Sequence, residues 1–350
     1  MSSPTLTLNG LSQIGTHGTF NLNGGTFTGT GEIDVSGRLN WNGGTMSGTG
    51  LTVLTPGATF GLAPTSGAVT LSRVLENQAS ATWTSGQFFF LNGTVLNKGT
   101  LTVSGAVTAA NAGGTNQFLN QGAFIKQGTG AATFNLFVPF NNSNLVEVQA
   151  GSLDLAGGGT HTGDFTVTGS TLFTNGTHTF QNTSDVIGTG TLRVNGGTAT
   201  FGGTVQVGAI TSNGTTTFGP VLQTSYLAVG AGTTTINTAL SLNQLDLAGG
   251  TLTGSGNLTV GGAFNWNAGT MSGTGTTLLT AGAAFALAPT SGAVTLSRVL
   301  ENQTSATWTS GQLFFLNGTV LNKGTLTVSG AVTAANAGGT NQFLNQGAFI

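Results

Sequence analysis

The sequence predicts an all-β protein, a parallel β-solenoid of roughly 17 turns with 19–24 residues each. Residues 40–125 recur at 265–350, shifted by 225 positions and identical at all but eight. Within this long repeat, short segments of alternating apolar and polar residues return about once per predicted turn. Gly supplies 60 residues and Thr is similarly abundant, which disfavours helices, whereas Thr, Val and Phe favour strands. We therefore expect an array of short strands with almost no helix.

The composition excludes several classes of protein. Charged residues make up 5% of the chain and hydrophobic residues 38%, whereas disordered chains combine high charge with low hydrophobicity. The net charge is −2 and the seven Lys and Arg residues are scattered, so no nucleic-acid partner is expected. The absence of Cys excludes disulfides and thiolate metal sites. No apolar run approaches the roughly 20 residues of a membrane span, so no membrane insertion is expected.

A first short motif sets the length of one turn. It occurs as NLNGGTFTG from Asn21, NWNGGTMSG from Asn40, LDLAGGTLTG from Leu245 and NWNAGTMSG from Asn265. Asn21 and Asn40 are separated by 19 residues, which indicates a turn of about that length. The Gly and Asn residues between strands supply the positive φ angles that tight corners require.

A second motif places an Asn beside each strand in the middle of the long repeat. The segments LENQASATW, LNKGTLTV, LNQGAFIK and NSNLVEV place Asn77, Asn97, Asn120 and Asn144 at steps of 20, 23 and 24 residues. In a solenoid, equivalent residues of successive turns stack, so buried Asn amides can bond to one another in a ladder. The predicted structural ladder comprises Asn77, Asn97, Asn120, Asn144, Asn302, Asn322 and Asn345.

The long repeat defines the expected organisation of the chain. We expect one continuous solenoid over residues 1–350, with a first copy at 1–125, a non-repeated part at 126–225 and a second copy at 226–350. Ile350 corresponds to Ile125, which continues into further repeat sequence in the first copy. We therefore expect a window on a longer array, with uncapped strand edges that can pair with another copy.

Candidate catalytic groups are sparse. The nine acids are mostly separated by several turns, whereas β-helical enzymes that process polysaccharides gather carboxylates on one face. His161 with Asp164 and His178 with Asp185 are the neighbouring His/acid pairs, and we interpret them as solvent-exposed loop residues. No catalytic, cofactor-binding or metal site is predicted, and no enzyme activity is expected.

Charged neighbours recur in both copies of the long repeat. Arg73 lies three residues before Glu76, and Arg298 lies three residues before Glu301. We interpret each as a local surface ion pair of small energetic weight.

Thr-x-Thr pairs suggest an alternative function. A flat rank with one such pair per turn could order water and bind ice, but the uneven spacing in sequence favours simple β-propensity as the explanation. The pairs are Thr26/Thr28, Thr100/Thr102, Thr166/Thr168, Thr198/Thr200, Thr215/Thr217, Thr251/Thr253 and Thr325/Thr327.

An aromatic run is the best candidate for a contact surface. Among three consecutive strand residues at least one faces outward, so a lateral contact between solenoids or with a ligand is one interpretation. A strand covered by a loop is the other. The candidate residues are Trp83, Phe88, Phe89, Phe90, Trp308, Leu313, Phe314 and Phe315.

These motifs also carry a family resemblance. The segment LDLAGGTLTGSGNLTVGGAFNWNAGTMSGTG and the LNKGTLTVSG and LNQGAF elements resemble the Gly/Thr/Asn-rich repeats of filamentous-haemagglutinin-like adhesins and autotransporter passenger domains. The resemblance implies a right-handed β-helix at the bacterial cell surface, acting as a stalk, adhesin or matrix fibre. The expected partners are copies of the chain itself, surface glycans or neighbouring cells. No signal peptide is visible in the opening segment MSSPTLTLNG.

Overall fold

The computed structural model describes residues 4–64, 67–128 and 133–350, and within these ranges every regular element is a β-strand. The strands pair in parallel from coil to coil, which confirms a β-solenoid of about 17 turns. The chain divides into two compact units, residues 1–185 and 186–350. The described ranges contain no helix long and apolar enough to span a bilayer.

The strands of the first unit mostly have three to five residues, and Thr19–Thr28 and Arg38–Met46 are longer. They are β1 (Thr5–Thr7), β2 (Ser12–Ile14), β3 (Thr19–Thr28), β4 (Ile33–Val35), β5 (Arg38–Met46), β6 (Leu51–Leu54), β7 (Thr59–Leu62), β8 (Ala68–Leu71), β9 (Val74–Asn77), β10 (Ser80–Trp83), β11 (Gln87–Phe90), β12 (Thr94–Asn97), β13 (Thr100–Ser104), β14 (Val107–Asn111), β15 (Gln117–Asn120), β16 (Ala123–Gln127), β17 (Thr133–Leu136), β18 (Phe140–Asn142), β19 (Leu145–Val148), β20 (Ser152–Leu155), β21 (Gly159–His161), β22 (Asp164–Val167), β23 (Thr171–Thr174) and β24 (Thr177–Phe180).

The second unit contains several longer strands that run through the corners. Its strands are β25 (Val186–Ile187), β26 (Thr191–Val194), β27 (Thr198–Phe201), β28 (Thr204–Gln206), β29 (Ala209–Ser212), β30 (Thr215–Phe218), β31 (Val221–Gln223), β32 (Tyr226–Val229), β33 (Thr233–Ile236), β34 (Leu240–Thr253), β35 (Leu258–Leu279), β36 (Ala284–Leu287), β37 (Ala293–Asn302), β38 (Ser305–Trp308), β39 (Gly311–Leu316), β40 (Thr319–Asn322), β41 (Thr325–Val328), β42 (Val332–Gly338), β43 (Gln342–Asn345) and β44 (Ala348–Phe349).

Each coil of the first unit has three sides. From β7 onward each strand pairs with the third strand after it, so that β10 pairs with β13, β11 with β14 and β12 with β15. Three parallel sheets result, and the side chains alternate between the interior and solvent. Among these strands, steps between paired residues vary because the corners differ in length, whereas the strands themselves pair without register shifts.

The interior is a stack of apolar columns. Phe124 stacks on Phe134 with ring centroids 5.7 Å apart, and Phe134 meets Trp83 edge to face at 5.0 Å. Burial of each such side chain contributes about 1.5–3 kcal/mol. Close stacking also explains corner glycines such as Gly44, whose φ is 81° and whose added Cβ would lie 2.5 Å from the carbonyl oxygen of Gly25.

Candidate functional site

A column of buried asparagines runs through four coils of the first unit. Asn77, Asn97, Asn120 and Asn142 occupy paired positions of β9, β12, β15 and β18. Each amide nitrogen donates to the next amide oxygen, at 2.7, 2.7 and 2.8 Å. The second amide hydrogen is satisfied by backbone, as in the 2.9 Å bond from Asn97 to the Ala123 carbonyl. The ladder thus satisfies buried amides while linking successive coils.

The structure corrects one member of the predicted ladder. Asn144 is exposed and donates to the Gln121 carbonyl at 3.2 Å. Strand pairing instead places Asn142 opposite Asn120. Asn144 lies past the corner, where its backbone N–H donates to the Asn142 side-chain oxygen at 3.2 Å. Asn144 therefore supports the end of the ladder from outside.

The second unit repeats the ladder. Asn302 donates to Asn322 at 2.8 Å, and Asn322 donates to Asn345 at 2.7 Å. Asn302 and Asn322 are buried, whereas Asn345 is exposed and donates to the Gly347 carbonyl. The 225-residue repeat therefore preserves interactions between coils as well as sequence.

The structure also corrects the predicted lateral contact surface. Trp83, Phe88 and Phe90 are buried, and so are their counterparts Trp308, Leu313 and Phe315. Alternation along β11 and β39 leaves one outward aromatic residue in each copy, Phe89 and Phe314. Next to them, Leu91 and Leu316 are each 40% exposed. Around the predicted aromatic run, the outward apolar residues therefore form one small patch in each copy, Phe89 with Leu91 and Phe314 with Leu316.

The predicted ion pair between Arg73 and Glu76 is wrong, because Arg73 turns into the interior. Its guanidinium donates to the carbonyls of Gly31, Ser47 and Leu51 at 3.0–3.2 Å. It also lies 4.8 Å from the ring centroid of Phe27. Burial lowers the pKa of Arg73. The side chain links carbonyls of different coils.

Arg298 repeats this arrangement in the second unit. It donates to the carbonyls of Gly256 and Gly275, both at 2.9 Å, and to that of Ser272 at 3.3 Å. Burial lowers the pKa of Arg298 to about 10. The guanidinium remains charged at neutral pH, with carbonyl dipoles as its hydrogen-bond partners.

The two glutamates pair with lysines of the next coil. Glu76 accepts from Lys98 at 2.8 Å, and Glu301 accepts from Lys323 at 2.9 Å. Burial raises the pKa of Glu76, but hydrogen bonds from Lys98 and Gln78 outweigh it and the net shift is downward. The hydrogen bond from Lys323 is the main cause of the lowered pKa of Glu301. Both carboxylates therefore have structural partners.

A buried histidine pair replaces the predicted exposed loop residues. His161 and His178 are stacked, with His161 Nε2 3.0 Å from His178 Nδ1. His178 Nε2–H donates to the Leu155 carbonyl at 2.9 Å, so its Nδ1 accepts from His161. His161 Nδ1 has no hydrogen-bond partner in the described part of the chain. His161 is also paired in register with Asn142, so it continues the asparagine column.

Acid is expected to destabilise the protein through this pair. Burial is the main cause of the lowered pKa of both histidines, and the lowering is larger for His161. The unfolded chain therefore binds more protons, and the free energy of unfolding falls as pH drops below about 6.5. Urea unfolding between pH 8 and pH 5 measures this decline. It should be weaker in His161→Phe and unchanged in His17→Gln, because His17 is exposed. Equal slopes in wild type and His161→Phe would contradict the assignment.

Two further interior polar sites were missed by the sequence analysis. Lys126 is buried, and its ammonium donates to the Gln127 carbonyl at 3.0 Å. Burial lowers its pKa. In the second unit, Ser212 bonds to Thr216 at 2.7 Å and accepts from Thr234 at 2.8 Å. The available signal was a polar residue at an inward position of an otherwise apolar alternation.

The second unit carries an open groove of about 1050 Å³. β31 pairs with β28 but forms no ladder with β34, so one sheet is interrupted between them. The groove is neutral, with Val221 39% exposed at its edge. Its lining includes Gln206, Pro220, Val221, Gln223, Ser241 and Asn243.

The described residues contain no cluster of three or more His, Cys, Asp or Glu that could hold a metal ion.

The fold and these interactions define a parallel β-solenoid with hydrogen-bonded polar ladders. No family model, curated protein or solved structure matches the chain.

Proposed function

We propose that this chain is a non-enzymatic segment of an extracellular structural fibre or adhesin, in which stacked coils act as a stiff spacer. The observation that carries the proposal is the use of interior polar groups. The asparagine ladders and the buried arginines all link one coil to another. Such bonds resist separation of the coils while leaving few polar groups for chemistry.

The outer surface supports the proposal that the chain associates with copies of itself. Charged residues make up 5% of the chain, which permits close approach of two copies. The patches of Phe89 with Leu91 and of Phe314 with Leu316 provide apolar contacts at corresponding places in the two copies of the repeat. The proposed partners are further copies of the chain, surface glycans or neighbouring cells, at the bacterial cell surface.

Electron microscopy of the purified chain at rising concentration tests the assembly. The wild type is expected to form filaments or lateral bundles, and the double variant Phe89→Ser/Phe314→Ser should bundle less because each patch loses its aromatic ring. Thr82→Ser/Thr307→Ser is the matched control, since both threonines are exposed on other strands. Isolated short particles at every concentration would refute self-assembly.

A further inference from the structure

One face of the second unit presents a two-column rank of hydroxyl groups. β27, β30 and β33, the end of β34, and parts of β35 and β37 pair in register on this face. Each contributes two outward hydroxyl residues separated by one inward residue. The rank consists of Thr198/Thr200, Thr215/Thr217, Thr233/Thr235, Thr251/Thr253, Thr270/Ser272 and Thr295/Ser297.

Of the Thr-x-Thr pairs found in the sequence, the register aligns Thr198/Thr200, Thr215/Thr217 and Thr251/Thr253 on this face despite their uneven spacing. The pairs Thr100/Thr102, Thr166/Thr168 and Thr325/Thr327 lie on other sheets. The sequence steps between successive pairs of the rank range from 17 residues, between Thr198 and Thr215, to 25 residues, between Thr270 and Thr295. Corners and loops elsewhere in each coil absorb the difference, so the paired positions still align. Six successive coils therefore carry one pair each.

The hydroxyl groups of the rank point away from the interior. The residues between them, such as Ala199, Leu252 and Met271, are buried. No side-chain hydrogen bond within the described residues uses these hydroxyls, in contrast to the inward Thr216 and Thr234. The rank therefore presents free hydroxyl and methyl groups.

The geometry of the rank is regular in two directions. Neighbouring coils are about 4.8 Å apart and alternate residues of a strand about 6.6 Å apart. None of the register shifts in β34 and β35 separates the two members of a pair. They lie at Leu242/Gln244, Leu247/Ala248, Ala248/Thr251 and Ser272/Thr276. Threonine is β-branched and its χ1 is restricted, so its hydroxyl and methyl groups keep defined positions. No charged residue lies in the rank.

We propose that this face binds crystalline water, with the hydroxyl array matching the oxygen spacing of an ice prism face. A ligand that is itself periodic in two directions fits such an array, because every hydroxyl can join the lattice at once. The neutral surface holds no ion whose own hydration shell would disrupt the lattice. The methyl groups between hydroxyls favour ordered water over bulk water.

Within the first unit, a shorter hydroxyl rank lies on the sheet formed by β1, β3, β5, β8 and β11. Its pairs lie on four coils, and Phe89 and Leu91 occupy the next position. The pairs are Thr5/Thr7, Thr26/Thr28, Thr45/Ser47 and Thr70/Ser72. A longer array presents more simultaneous contacts, so the face of the second unit is the stronger binding surface.

Ice-affinity partition and inhibition of ice recrystallisation test the proposal with the whole chain. The wild type should enter slowly growing ice and keep crystals small. Thr235→Tyr/Thr253→Tyr places two bulky rings at the centre of the rank and should abolish most of both effects. Thr307→Tyr is the matched control, because Thr307 is exposed on a different sheet of the same unit. Circular dichroism checks that all variants remain folded.

Three results would overturn the proposal. The wild type could be excluded from ice, or the double variant could behave like the wild type. In the third result, neither the wild type nor any variant affects ice, and the double variant associates less with itself in sedimentation than the wild type does. That result would identify the rank as a contact between copies. Filament formation is scored separately, so failure of ice binding leaves the proposed fibre function intact.

Discussion

Trp83→Ala is expected to lower the free energy of unfolding by about 3–5 kcal/mol, the usual cost of emptying a large aromatic site. Trp83 is 1% exposed and contacts Phe88 and Phe134 with ring centroids at 5.6 and 5.0 Å. Its indole N–H donates to the Ser85 carbonyl at 2.9 Å. The substitution removes this bond and leaves a void in three adjoining coils.

Phe89→Ala is the matched control, because Phe89 lies on the outward side of β11. It should change stability by less than about 1 kcal/mol, since a partly exposed ring loses little on truncation. Urea unfolding followed by circular dichroism measures both variants. Trp308→Ala repeats the test in the second unit, where the indole donates to Ser310 at 3.0 Å. A larger loss for Phe89→Ala than for Trp83→Ala would reverse the assignment of inside and outside.

The fold was predictable because the signals for it recur. Three signals predict the same solenoid: the long repeat, the alternation of apolar and polar residues in the strands, and the Gly and Asn residues at the corners. Each can be recognised in the sequence without knowing which residues pair between coils. Asn97 and Asn120 were found by the same logic, since stacked coils place equivalent residues together. Their hydrogen bonds follow from that stacking.

The remaining details depend on register, which sequence spacing does not determine when corners vary in length. Asn142 and Asn144 have the same strand parity, and pairing with Asn120 alone decides between them. Phe88, Phe89 and Phe90 alternate in any strand, but which of them face inward depends on the pairing of β11 with β8 and β14.

The length of side chains is a second reason why some contacts were predicted wrongly from the sequence. Arg73 and Glu76 are close in sequence, yet the long guanidinium side chain turns inward and bonds to Gly31, which lies 42 residues away. The threonine rank was not recognised from the sequence for a related reason. Loops change the number of residues between successive pairs without changing the face on which the pairs lie. Local sequence distance therefore predicts contacts poorly in a solenoid, where neighbours lie about one coil away.

Asn120→Leu is expected to lower the free energy of unfolding by about 2–4 kcal/mol, because buried groups that lose a hydrogen bond cost about 1–3 kcal/mol each. Asn120 accepts from Asn97 at 2.7 Å and donates to Asn142 at 2.8 Å. Leucine has the same number and branching of side-chain heavy atoms and is not smaller, so the substitution removes the hydrogen bonds without leaving a cavity. One amide hydrogen of Asn97 is left without an acceptor, although Asn142 still accepts from the backbone of Asn144.

Asn144→Leu provides the comparison that separates the two candidate ladder members. Asn144 is exposed and bonds to a backbone carbonyl, so its replacement should cost no more than about 0.5 kcal/mol. Urea unfolding of the two variants under identical conditions gives the difference directly, and Asn322→Leu checks it in the second ladder, where Asn322 donates to Asn345. Because the ladder amides link successive coils, Asn120→Leu should also speed hydrogen exchange in β12, β15 and β18. Equal costs for Asn120→Leu and Asn144→Leu would mean that the amide column adds nothing beyond the backbone ladder.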